Sequence, residues 1–139
     1  MARPRVPVVL PESGIMAVAR RRILIVEDDL AIAELLTKTL TRFYDVRVVG
    51  DGAEAVPTAS TYRPDLILLD VNLPNKDGFA VAQAMKSAPG LGKIPIIFLT
   101  AQDRSLDVVK GIQVGAKHYI TKPFKLDDVL SKVKKLVPV

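Results

Sequence analysis

Five short apolar runs, each followed by a segment of helical period, constrain the fold of this chain more than any other feature. The runs are "RILIV" (22–26), "YDVRVV" (44–49), "DLILLD" (65–70), "IPIIFLT" (94–100) and "HYIT" (118–121). Apolar runs of this length, rich in β-branched residues and bounded by turn residues, read as buried strands. Between and after them come "LAIAELLTKTLTRF" (30–43), "GAEAVPTASTY" (52–62), "GFAVAQAMKS" (78–87), a stretch through "LDVVKGIQVG" (106–115) and "KLDDVLSKVKKLV" (125–137). The first of these carries Ile32, Leu35, Leu36, Thr39 and Leu40 at helical spacing. Pro57 is expected to limit or kink the second. Strand–helix alternation repeated in this way predicts βαβ units, a parallel sheet and helices on both faces. The fold class is therefore α/β, a doubly wound five-stranded parallel sheet in a three-layer (βα)5 sandwich.

In such sheets ligands bind beyond the carboxyl ends of the strands, where the strand order reverses. The residues at those ends are then the ones to inspect. The first strand runs into Glu27, Asp28 and Asp29, the third ends in Asp70, the fourth in Thr100, and Lys122 follows the fifth, before Pro123. If the strand order is 2-1-3-4-5, one of the two common doubly wound orders, strands one and three are neighbours and their acids meet. Two like charges about 4 Å apart repel by roughly 4 kcal/mol at an effective dielectric of about 20. Either one carboxylate is protonated or a cation sits between them. Lys122 supplies one positive charge, and a hard divalent ion with oxygen ligands supplies the rest. Mg²⁺ suits a site with few carboxylates and room for water. A strand-end aspartate placed beside a metal and a lysine can act as a nucleophile, and carboxylate nucleophiles attack phosphoryl groups to give aspartyl phosphates. Taken singly, a strand-end aspartate is ordinarily a cap, a lone threonine is strand filler, and Lys-Pro is a common dipeptide. Together at these positions they form one site.

Charge and composition close several other classes. There is no cysteine among the 139 residues, so disulfide, zinc-thiolate and thiol-nucleophile chemistry are excluded. No apolar run approaches a membrane span, and "VPVVL" near the start is short and broken by proline. A cytoplasmic protein is the expectation. The net charge of +5 is concentrated at one end: Arg3, Arg5, Arg20, Arg21 and Arg22 face only Glu12 there, leaving 15 basic against 14 acidic residues from Ile23 onward. A nucleic-acid surface would carry Lys and Arg on a folded element, so no nucleic acid is expected to bind. Residues 1–21 hold three prolines and read as a flexible basic arm, with Met16 a candidate start, and 22–139 as one domain.

The motifs "ILIVEDD", "LILLDVNLPNKDGF", "IIFLTA" and "GAKHYITKPF" resemble the receiver domain of bacterial two-component response regulators, with its flavodoxin-like fold, over about residues 22–137. The resemblance implies that Asp70 is the phosphoacceptor and that Mg²⁺ is held by Asp28 directly, by Glu27 mainly through water, by Asp70 and by the backbone carbonyl of Asn72. It implies a switch hydroxyl at Thr100, a switch aromatic at Tyr119 and a phosphate-binding lysine at Lys122. A cis peptide before Pro123 and a left-handed backbone at Gly78 are further expectations. Asp29 is an extra acid beside the pair. The implied donor is a sensor histidine kinase or a histidine phosphotransfer protein. The implied output is a protein target recruited by the surface of the fourth helix, fifth strand and fifth helix. The chain would be a monomer or a phosphorylation-dependent dimer, and either a stand-alone receiver or a piece of a larger regulator.

Three rivals share parts of this pattern. A phosphohydrolase of the haloacid dehalogenase type also uses a strand-end aspartate, but needs a second acid two residues later, where this chain has Asn72. A flavin binder of the same fold wants a hydroxyl- and glycine-rich loop after the first strand, and Glu27, Asp28 and Asp29 would repel its phosphate. A receiver-like module that is never phosphorylated should lack Asp70, Thr100 or Lys122, and all three are present. The expectation is a signalling phosphoacceptor that catalyses its own phosphorylation and slow dephosphorylation, not a turnover enzyme. His118, the only histidine, is expected on the solvent-facing side of a short strand.

Overall fold

The computed structural model describes residues 8–9, 17–18, 20–74, 76–101 and 118–139. Within the N-terminal arm, Val8–Val9 pairs antiparallel with Ala17–Val18. The rest of the described chain builds one parallel sheet of five strands: β1 (Arg22–Val26), β2 (Asp45–Val49), β3 (Leu66–Asp70), β4 (Ile96–Ala101) and β5 (His118–Lys122), in the spatial order β2-β1-β3-β4-β5. This is the doubly wound order that brings the first and third strands together.

Burial explains why these runs are strands. In β1, Ile23, Leu24, Ile25 and Val26 are all fully buried, as are Leu66 to Leu69 in β3. A strand covered on both faces must be apolar at every position, not at alternate ones. The edge strand β2 instead mixes exposed and half-buried residues along "DVRVV". Ile23, Ile25, Leu66, Leu68, Ile97 and Leu99 pack on one face against Leu36 and Leu40 of α1 (Leu30–Leu40) and Val129 and Val133 of the C-terminal helix (Leu126–Leu136). On the other face Leu24, Val26, Ile67, Leu69 and Phe98 meet Ala55 and Ala59 of α2 (Ala55–Tyr62) and Val81, Ala82 and Met85 of α3 (Gly78–Ser87). Each large side chain buried in this way contributes about 1.5–3 kcal/mol.

Several local expectations are refined. Pro57 does not end its helix. One 3-10 turn (Gly52–Glu54) leads into α2, and Pro57 sits in the first turn of α2, where its missing N–H is not needed. The helix after β1 stops at Leu40, with Thr41 as its C-cap, so Arg42 and Phe43 lie in the following turn. Tyr44 precedes β2, is buried, and its hydroxyl donates to the carbonyl of Val137. The predicted helix at 106–115 lies outside the described residues. Among the described residues no helix is long and apolar enough to cross a membrane.

Candidate functional site

β1 and β3 are hydrogen-bonded neighbours with Val26 opposite Leu69. The residue that follows each, Glu27 just past β1 and Asp70 at the end of β3, therefore emerges at the same carboxyl end of the sheet. Glu27 is pinned there by its amide, which donates to the carbonyl of Val49 at 3.0 Å. Lys122, the last residue of β5, reaches back across the strand ends. Its Nζ donates to Glu27 Oε1 at 2.7 Å and to Asp70 Oδ2 at 3.2 Å. The remaining carboxylate oxygens are also engaged: Asp70 Oδ1 accepts from the Asn72 amide at 2.9 Å, and Glu27 Oε2 from the Asp29 amide at 3.2 Å. Glu27 and Asp70 are buried, as is Thr100 at the end of β4.

Asp28 completes the cluster from the solvent side. Glu27, Asp28 and Asp70 each bring a carboxylate oxygen within 4.8 Å of the others. Among the described residues this is the one such group of three. Asp29 does not join it. It is the N-cap of α1, its Oδ1 accepting from the amides of Ala31 and Ile32 at 3.0 and 3.2 Å. Aspartate is among the preferred caps because it satisfies N–H groups that have no partner in the helix.

The electrostatics show a site short of positive charge. Burial is the largest influence on Glu27, and with Asp70 beside it the carboxyl is pushed up to about 7 despite the Lys122 hydrogen bond. Burial works against the Lys122 ammonium too, but the hydrogen bond to Glu27 and the charges of Asp70 and Glu27 outweigh it and raise its pKa. One ammonium is thus shared by two buried carboxylates, with a third acid at the rim. A hard divalent cation fits this donor set, because added positive charge offsets the burial and the neighbouring Asp70 that together raise Glu27.

Lys122–Pro123 is cis, in agreement with the expectation for this position. Gly78 corrects its own. It is not left-handed but is the first residue of α3; a Cβ there would lie 2.3 Å from the Asp70 carbonyl oxygen and 2.7 Å from Val71 Cα. Close approach, not a positive φ, requires glycine. Tyr119 is half-buried and stacks on Phe98, with ring centroids 5.9 Å apart and planes at 28°. Phe98 was not singled out from the sequence, where it is one apolar residue of a buried strand. His118 is half-buried opposite Ile97, not turned fully to solvent. Asn72 meets Asp70 through its backbone N–H.

A family model described as the response regulator receiver domain matches residues 23–134. The chain is 41% identical over 120 residues to the DNA-binding response regulator MtrA of Mycobacterium tuberculosis, covering 86% of this chain and 51% of MtrA. It thus spans about half the length of the curated relatives it matches. Among solved structures it resembles the phosphorylated cyanobacterial phytochrome response regulator RcpA, with TM-score 0.72, 35% identity, and coverage of 85% of this chain and 91% of that one. It also resembles the Mn²⁺-bound form of response regulator Rcp1, with TM-score 0.70, 32% identity, and coverage of 84% of this chain and 91% of that one.

Proposed function

The chain belongs to the response regulator receiver domain family of two-component systems, and from that premise we propose that it accepts a phosphoryl group on Asp70. The observation that carries this reading is the Lys122 ammonium, set between buried Glu27 and buried Asp70 at 2.7 and 3.2 Å. The donor is a phosphohistidine on a sensor kinase or phosphotransfer protein. An Asp70 carboxylate oxygen attacks phosphorus, the P–N bond breaks, and the departing imidazole nitrogen keeps the electron pair and takes a proton. The product is an acyl phosphate on Asp70.

The chain's own residues contribute position and charge. The Asn72 amide fixes one Asp70 oxygen, and Lys122 is placed to follow negative charge onto the phosphoryl oxygens as it develops. Burial of Glu27 and Asp70 lowers the local dielectric and strengthens both effects. Mg²⁺ would be held by Asp28, Asp70 and, mainly through water, Glu27, with the Asn72 carbonyl as a further ligand; it would neutralise charge on the phosphoryl group. Thr100 serves as the hydroxyl that reads the phosphate and Tyr119 as the aromatic that answers it. The altered face around β5 and the C-terminal helix then recruits a downstream protein in the cytoplasm. The binding to DNA stated in the name of MtrA stays with that protein.

Acetyl phosphate with Mg²⁺ tests the reading by intact-mass measurement. One added phosphoryl group in the parent and none in Asp70→Asn is the expected result. Undiminished labelling of Asp70→Asn would overturn it.

A further inference from the structure

We propose that Phe79, Phe98 and Tyr119 form an aromatic stack that holds Tyr119 in its resting orientation and passes movement of the Asp70 turn to it. This regulates the site proposed above and rests on that reading. The path begins at the main chain of Asp70. The Gly78 amide donates to the Val71 carbonyl at 2.9 Å, and the Gly78 backbone lies too close to Asp70 for a Cβ to fit between them. The start of α3 therefore bears directly on the phosphoacceptor's own peptide. The next residue is Phe79, whose amide is held by Asp77 Oδ1 at 2.7 Å.

The Phe79 ring meets Phe98 edge-on, with centroids 4.8 Å apart and planes at 61°. Phe98 is fully buried on β4, with Leu69 as its cross-strand neighbour on one side and Tyr119 on the other. One ring thus touches both the α3 side chain behind the Asp70 turn and the switch aromatic. Offset-stacked and edge-to-face contacts have defined geometries, and a close-packed interior transmits a displacement instead of absorbing it. Tyr119 is only half-buried, so it has a solvent side toward which it can turn. The stack reaches Tyr119 without using Thr100.

Fluorotyrosine labelling provides the test, since the chain has three tyrosines: Tyr44, Tyr62 and Tyr119. ¹⁹F NMR with and without beryllofluoride and Mg²⁺ reads all three rings and the bound beryllofluoride itself. In Phe98→Leu the bound beryllofluoride signal and the Tyr44 and Tyr62 resonances should persist. The resting Tyr119 resonance should move toward its solvent-exposed position, and its response to beryllofluoride should fall below half the parent's. Phe79→Leu should show the same changes in smaller measure, and it decides the matter if Phe98→Leu loses the Tyr44 and Tyr62 positions. A parent-sized Tyr119 response in the folded variants overturns the stack, whatever the resting position. No bound beryllofluoride in the parent sinks the phosphoacceptor reading, and the stack with it.

Discussion

Lys122 makes its shorter hydrogen bond to Glu27, at 2.7 Å, and its longer one to Asp70, at 3.2 Å. The lysine expected to serve the phosphoryl group is thus drawn partly aside by a buried acid. Neutralising Glu27 by protonation would weaken that hold, and phosphorylation of Asp70 would draw the ammonium the other way.

Stability should depend on Glu27 in a definite pH window. Its carboxyl is raised to about 7, so the folded state holds this proton more tightly than the unfolded chain does. The contribution is full below the ordinary glutamate value near 4.3 and is lost as pH rises through about 7, with a slope of at most about 1.4 kcal/mol per pH unit for one proton. The raised Lys122 loses its contribution only in strongly alkaline solution, outside this window. Thermal unfolding in chelator should show the melting temperature falling from pH 5 to 8 more steeply in the parent than in Glu27→Gln. Parallel profiles for the two proteins would contradict it.

Metal dependence should follow Asp28. Binding of Mg²⁺ is expected in the millimolar range, with Asp28→Ala keeping its fold by circular dichroism while losing labelling by acetyl phosphate. Full labelling of this variant, or of the parent in excess chelator, would remove the metal from the reaction. Asp70→Asn should raise the urea midpoint at pH 8 by relieving repulsion with Glu27, an effect on the order of 1 kcal/mol.

Gly78→Ala tests the close approach behind Asp70. A methyl group 2.3 Å from the Asp70 carbonyl oxygen must displace main chain, so destabilisation of about 1–3 kcal/mol is expected, together with slower phosphorylation. Parent-like urea midpoint and labelling rate would show that the turn yields freely.

Lifetime should be that of a signal, not of a catalytic intermediate. The uncharged Asn72, two residues after Asp70, cannot serve as a general base, so slow-to-moderate loss of the phosphoryl group is expected. Phosphate release from added phosphomonoesters at many turnovers per second would instead restore the hydrolase reading.

Thr100→Ala should remain phosphorylatable at Asp70 while its Tyr119 resonance responds less to beryllofluoride than the parent's. The residual response is assigned to the aromatic stack, so Thr100→Ala combined with Phe98→Leu should respond less than either alone. Equal responses in parent and Thr100→Ala would take the hydroxyl out of the relay.

Glu27, Asp70, Thr100 and Lys122 are legible in the sequence because each stands at the end of an apolar run, and the fold places all such ends on one rim. Local pattern was enough there. It could not tell Asp29 the cap from Asp28 the rim acid, since adjacent acids differ only in which way the chain turns after β1. Nor could it reveal why position 78 is glycine, because the obstacle is the main chain of Asp70, eight residues earlier. Phe98 became significant only through strand register, which sets it opposite Tyr119. Lys122's preference for Glu27 joins residues far apart in the chain, and only the assembled sheet determines it.

The hydroxyl of Tyr44 on the carbonyl of Val137 gives the C-terminal helix a fulcrum. Both residues are buried in the apolar cluster on this face, so lifting that end away from the sheet would break the bond and uncover the side chains packed around it. The other end of the helix follows directly from Lys122 and Pro123. Any swing set off at the strand ends would therefore act on a lever fixed at its far end, with the largest excursion next to the site and almost none at Val137.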